Sequence, residues 1–167
     1  MAFQAHISIK GTKQGQFKGE GIQDKRKDKW APVLGFSMGL QSPRDVATGQ
    51  ASGKRQWAPV EIVKEWGAAS PQALQACSSN EVLPEVNIEF ITTDPNGTEI
   101  VYQTIKLTDA TISKISRFTG GEGTETSRHT SEQGTHELER WSFTFRKIEV
   151  EDTRGKTSFM DDWAQTF

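Results

Sequence analysis

The chain has a single cysteine, Cys77, among its 167 residues. No internal disulfide can therefore form, and no zinc site can be built on cysteines. No stretch approaches the roughly 20 apolar residues of a membrane-spanning helix. The N-terminal MAFQAHISIKG lacks the cationic start and long apolar run of a secretory signal. An excess of positive charge is missing too: 20 Lys and Arg stand against 22 Asp and Glu, a net charge of −2, which argues against general nucleic-acid binding. The basic cluster Lys25-Arg26-Lys27-Asp28-Lys29 includes an acid and no interleaved aromatic, as a solvated turn does. Apolar residues are scarce, at 34% with a mean hydropathy of −0.63. So thin an apolar content fits half-buried strands with one face in a core and the other toward water or a partner. One domain over residues 1–167 is expected at this length.

What is present alternates. Phe3, Ala5, Ile7 and Ile9 share one face of an N-terminal strand, and His6 falls on the opposite, polar face, where solvation is expected. From Trp30, the stretch WAPVLGFSMGLQ sets Leu34, Phe36, Met38 and Leu40 against Gly35, Ser37, Gly39 and Gln41. Glycine inside a strand is destabilising. The bare face therefore marks either a bulge or curved edge, or a smooth surface at a subunit interface or enclosed channel. Residues 42–54 hold too few apolar side chains for an element and are read as a long exposed loop, a kind usually functional or disordered.

A strand over residues 56–64, with Pro59 near its start, precedes the expected helix in EWGAASPQALQACSSNEVL. Ser70 suits the N-cap and Pro71 the first helical position. Ala73, Leu74 and Cys77 can share a face, and Ser78-Ser79-Asn80 ends the segment. Asp94-Pro95-Asn96-Gly97 then turns a hairpin between strands starting at Val86 and Thr98, and residues 110–118 extend its second arm or form another strand. Residues 120–137 read as a glycine-rich polar loop. In the last clear strand Trp141, Phe143 and Phe145 share one parity, while Ile148 and Val150 take the other, which suggests a bulge or a strand passing onto another surface. The tail from Ser158 carries three aromatics and should dock on the body or a partner.

Little speaks for catalysis. His129 and His136 lie in the glycine-rich loop near Glu132, Glu137 and Glu139 without the fixed spacing of metal ligands. Gly120, Gly121 and Gly123 do not open a helix after a strand, so no phosphate or dinucleotide loop is supported. Cys77 sits on the helix's apolar face, and Asp161-Asp162 has no evident partner base. No enzyme activity, cofactor or metal is expected. A β-barrel enzyme or ligand binder with its site in the glycine-rich loop is the rival from another class.

Several segments together resemble the haemolysin-coregulated protein family, the tube subunits of bacterial type VI secretion systems. They are FQAHISIKGTKQGQFKGE, VLGFSMGLQSPRD, GKRQWAPVEIVKEWGAASPQALQAC, EVNIEFITTDPNGTEIVYQTIKLTDATIS, WSFTFRKIEVE and TSFMDDW, in family order over nearly the whole chain. Where this chain has Trp57-Ala58-Pro59, members often carry His followed by Lys or Glu. The resemblance implies a mainly β fold: a small antiparallel β-barrel of two sheets with one short flanking α-helix. It further implies six copies in a ring with a wide channel, rings stacked into a tube, a contractile sheath around it, a spike at its tip and effector proteins inside. Neither nucleic-acid binding nor membrane insertion is implied. Such a subunit is cytoplasmic until firing and is then exported without a signal peptide. Contractile phage tail tubes share the architecture and form the alternative. On this resemblance Ser37, with Gly35 and Gly39, is expected to face the channel. Pro43, Arg44, Asp45, Val46, Thr48 and Gln50 are assigned to ring stacking, and Leu74 and Cys77 to packing of the helix on the barrel.

Overall fold

Period-two alternation builds strand β1 (Gln4–Gly11), followed by β2 (Gly15–Gln16), β3 (Ala31–Val33), β4 (Gly35–Ser37) and β5 (Leu40–Gln41). After the 42–54 segment come β6 (Gln56–Trp57), β7 (Val60–Glu65) and helix α1 (Ser70–Ser79). The second half holds β8 (Leu83–Thr93), β9 (Glu99–Thr119), β10 (Glu137–Thr144), β11 (Lys147–Asp152) and β12 (Thr157–Asp162). The computed structural model describes residues 4–20, 28–119 and 137–163. Phe3, residues 25–27 of the basic cluster, the glycine-rich loop with His129 and His136, and the last four residues lie outside that set.

Every strand pair is antiparallel. Pairing runs β1-β8-β9-β10-β7, and then β7 pairs β4 while β1 pairs β3. Strands β3 and β4 are halves of one stretch, β3 pairing β1 and β4 pairing β7, so this stretch links the two sheets while the pairing path itself stays open among the described residues. The mainly β fold of two antiparallel sheets with one short helix is the one expected from the resemblance. Strand β9 belongs to both: its first half lies between β8 and β11, and its second half pairs β10. Ile7, Ile88 and Ile105 from one sheet bury against Ile62, Trp141 and Phe143 from the other.

Two irregularities in the pattern follow from this architecture. The strand expected over residues 30–41 is three short ones, since the chain passes from β1 to β7 at Leu34 and then leaves to pair β6. Leu34 and Leu40 are consequently exposed, and only Phe36 and Met38 of the supposed apolar face pack against the core. The parity slip after Phe145 is the passage from β10 in one sheet to β11 in the other, on top of a register shift between Ser142 and Phe143. The tight turn is as expected. Gly97 takes φ 83°, and Asp94 Oδ1 accepts the amides of Asn96 (2.9 Å) and Thr98 (2.8 Å). Residues 110–118 continue β9.

His6 is buried, not solvated. The chain after β1 folds back over its outer face, where Gln16 Nε2 donates to Ser8 Oγ and to the Ile9 carbonyl.

The helix begins one residue earlier in phase than expected. Ala69 is the N-cap, and Ser70 turns its hydroxyl inward. Asn80, left-handed at φ 53°, ends it. Its inward face is Ser70, Ala73 and Ala76, with Cys77 partly buried against the core. Leu74 does not pack inward; it is 40% exposed. The small alanines set the approach to β9, and a residue one step along from Ala73 is rotated by about 100° onto the helix flank.

Candidate assembly surfaces

The sheet β4-β7-β10-β9 has one face in the core and one outside. Register places Ser37, Glu61, Ser142 and Lys114 in one outward row, and Gly35, Val63, Arg140 and Ser116 in the next. Ser142 Oγ donates to Glu61 Oε1 at 3.2 Å. Ser37 is exposed. Gly35 is bare for a packing reason: an added Cβ would stand 3.3 Å from the Val63 Cβ. Gly39 does not join them. It lies between β4 and β5, its carbonyl accepting the Ala58 amide. The sheet ends in two backbone edges, one on β4 away from β7 and one on β9 beyond Ala110, with no strand partner among the described residues.

The 42–54 segment is not structureless. Arg44 bridges Ala51, the Asp45 amide donates to the Gln50 carbonyl, and the Ser52 amide donates to the Pro43 carbonyl. Asp45 organises the tip: Oδ1 accepts the Ala47 amide (2.9 Å), Oδ2 accepts the Thr48 hydroxyl (3.2 Å), and Gly49 turns the chain at φ 72°. Arg44, Asp45, Val46, Thr48 and Gln50 are exposed and Pro43 is half-buried. Val46 is displayed at 103% relative exposure, a branched apolar side chain with nothing over it.

The root of this projection is fastened by the C-terminal strand. Arg55 Nε and Nη2 donate to the two oxygens of Asp161, and Trp57 Nε1 donates to Oδ2 at 2.8 Å. The Arg55 hydrogen bond, helped by Trp57, holds the Asp161 carboxyl below the usual carboxylate range. Trp57 stacks edge-on with Phe145 at 5.7 Å, and Phe145 with Trp163 at 6.4 Å. Residues 158–163 of the tail thus dock on the body, as expected.

A second polar cluster joins the helix to the barrel. Lys64 Nζ, fully buried, lies 2.9 Å from Glu20 and 3.1 Å from Glu139, which is buried as completely. Glu139 also accepts from Ser70 Oγ (2.7 Å) and pairs with Arg117 (3.2 Å). Glu20 caps the helix entry by accepting the Ala69 amide, and it fills the space a Gly67 Cβ would need. The sequence carried a sign of this cluster: Lys64 shares parity with Val60 and Ile62, and Glu139 with Trp141 and Phe143. For Asp161 there was no comparable sign. Among the described residues no group of three or more His, Cys, Asp and Glu could hold a metal ion.

Residues 6–151 match the family described as "Type VI secretion system effector, Hcp". The chain belongs to the Hcp family. Its relatives include the "Major exported protein" of Pseudomonas aeruginosa, 36% identical, with 98% of this chain and 96% of that protein aligned. A crystal structure of an Hcp protein superposes with a TM-score of 0.85 at 28% identity over 99% of this chain and 100% of that one. The secreted protein Hcp3 from Pseudomonas aeruginosa gives 0.71 at 28% identity over 98% and 100%. Hcp proteins are type VI secretion proteins and not an enzyme family, which accords with a surface organised by edges and projections. Among the described residues no helix is long and apolar enough to cross a membrane.

Proposed function

We propose that this Hcp protein is the tube subunit of a type VI secretion system. Six copies close into a ring around a channel, and rings stack into an inner tube. A contractile sheath drives the tube behind a spike, and the protein is exported with it. The supporting observation is the four-stranded sheet with a polar outer face and, at each side, a backbone edge that has no strand partner among the described residues. Unpaired edges invite further strands, and head-to-tail edge contacts generate closed rings. Six such sheets joined edge to edge make a wall of about 24 strands. At ~4.8 Å per strand its circumference is about 115 Å and its diameter about 37 Å. Compact cargo of about 100 residues, with a radius of gyration near 13 Å and so about 34 Å across, lies at the limit of such a channel.

In this reading Gly35 and Ser37 face the channel, where effector proteins ride. The ordered 42–54 projection, with Val46 at its tip, makes the ring-on-ring contact.

Electron microscopy of the purified protein tests the proposal. Rings with an open centre are expected, and monomers alone at high concentration would overturn it. Replacing Arg44 and Asp45 with alanine should shorten or abolish tubes while sparing single rings. Unchanged tube length would remove the stacking role from this loop.

A further inference from the structure

The 42–54 projection ends in an apolar knob, and an apolar hole lies at its base. Val46 stands fully exposed on the tip. Trp57, Ala58, Pro59, Thr144, Phe145 and Trp163 line a pocket of about 290 Å³. That is below the usual range for a drug-sized ligand and suits one branched side chain with the turn that carries it. Phe145 meets Trp57 and Trp163 edge-on, and both tryptophans also border the recess beside Pro43 at the root of the projection. Fully exposed as it is, Val46 does not fill the pocket of its own copy.

Strand directions decide where the pocket of another copy lies. Strands β4, β7, β10 and the second half of β9 alternate in direction. The outer two therefore run oppositely, and copies related by rotation about one axis can join β4 to β9 as one continuous antiparallel wall. Every copy then keeps its projection and pocket at the same end, that of Ser37, Val60 and Thr144. The pocket mouth lies between β7, into which Ala58 and Pro59 lead, and β10, which Thr144 ends. In the copy beyond the β4 edge it stands about two and a half strand spacings away, or about 12 Å. From Pro43 to Val46 the extended arm of the projection, held by the pairing of Asp45 with Gln50, reaches about 10 Å before the valine side chain is added.

We propose that Val46 of one copy seats in the pocket of the copy beyond its β4 edge and latches adjacent subunits of a ring. The proposal rests on the tube reading and adds a lateral contact to it. Burial of a bare branched side chain among aromatic rings supplies the hold. The contact is head to tail, so its chain closes when the ring does. The arm then lies across the neighbour's end and forms part of the surface on which the next ring sits.

The test is disulfide trapping in a Cys77→Ser background, which removes the one native thiol of the chain. Val46→Cys protein and Ala58→Cys protein, mixed as dilute subunits and gently oxidised during assembly, should give a covalent pair. Its yield should exceed by about tenfold that of either protein alone, or of Val46→Cys mixed with Asn96→Cys on the distant hairpin turn. With both Val46→Cys and Ala58→Cys in one chain, the ladder of linked copies should end at six. A ladder ending at two would overturn the proposal, because tips and pockets would then be exchanged between facing rings. A ladder running past six would overturn it too, because the link would join stacked rings. Deleting residues 164–167 should leave the yield unchanged. A several-fold rise would overturn the proposal, since the chain's own end would then be the occupant. Val46→Asp should raise the concentration at which rings fall apart by about tenfold, whereas Val46→Ile should not. Rings seen by electron microscopy without any cross-link would overturn the latch and leave the tube reading standing, and the absence of both would overturn both.

Discussion

Lys64→Met keeps an unbranched side chain only one heavy atom shorter and removes its charge, so it largely separates electrostatics from packing in the buried cluster. The lysine ammonium is fully buried between Glu20 at 2.9 Å and Glu139 at 3.1 Å. Without it Glu20, still 13% exposed, can turn toward water, but Glu139 cannot. Glu139 would retain Arg117 and the Ser70 hydroxyl. Breaking a buried ion pair from one side typically costs about 3–5 kcal/mol. With one carboxylate escaping and the other still partnered, the lower end applies, about 3 kcal/mol. Adding Glu139→Gln should recover about 1–2 kcal/mol, because an amide needs no counter-charge. Urea unfolding of dilute, unassembled protein, followed by tryptophan fluorescence, gives the measurement. With a slope of about 2 kcal/mol/M, the midpoint should fall by about 1.5 M in Lys64→Met. A fall below about 0.3 M would refute the argument. So would a double variant as unstable as the two single effects added together, since coupled neighbours should not be additive.

The Asp161 clamp should show in the pH dependence of stability. Its carboxyl is held below the ordinary range by Arg55 first and then by Trp57. Its stabilisation is therefore present above the unfolded value near pH 4 and is lost as pH falls through the lower folded value. Asp161→Asn should flatten that acid limb of the melting temperature, and an unaltered limb would contradict the clamp. On the helix, Leu74→Ser should change stability by less than about 0.5 kcal/mol, whereas Ala73→Leu should cost about 1–3 kcal/mol by overpacking against β9. The reverse order in a thermal melt would contradict the phase of α1 described here.

Much of the fold was legible because its signals are local. Alternation marked β1 and β8, the Asp94 turn fixed the hairpin, and Asn80 closed the helix. The failures occur where the chain changes sheet. Residues 30–41 alternate as one strand would, yet Leu34 marks a passage between two partners that no local pattern records. Leu74 was assigned inward because it can share a helical face with Ala73 and Cys77; close approach to β9 selected Ala73 and Ala76 instead. The 42–54 segment is the long exposed loop its lack of apolar residues implied, and the order that Asp45 and Gly49 give it comes from backbone turns. Of the surface around the proposed channel, Gly35 and Ser37 were readable from strand parity. Gly39 was not, since parity ceased to apply once β4 had ended.

The Arg55–Asp161 contact joins residues 106 positions apart. At about 5–20 residues per second of synthesis, the root of the 42–54 projection waits roughly 5–20 s for the strand that fastens it. Barrel strands β1 to β11 precede that strand, so the projection takes its final pose only after the wall behind it has emerged. An unfinished chain would thus hold its tip loosely while other copies accumulate around it. On the proposed tube reading, β12 acts as a timer: the projection becomes ready to associate only once that strand has emerged.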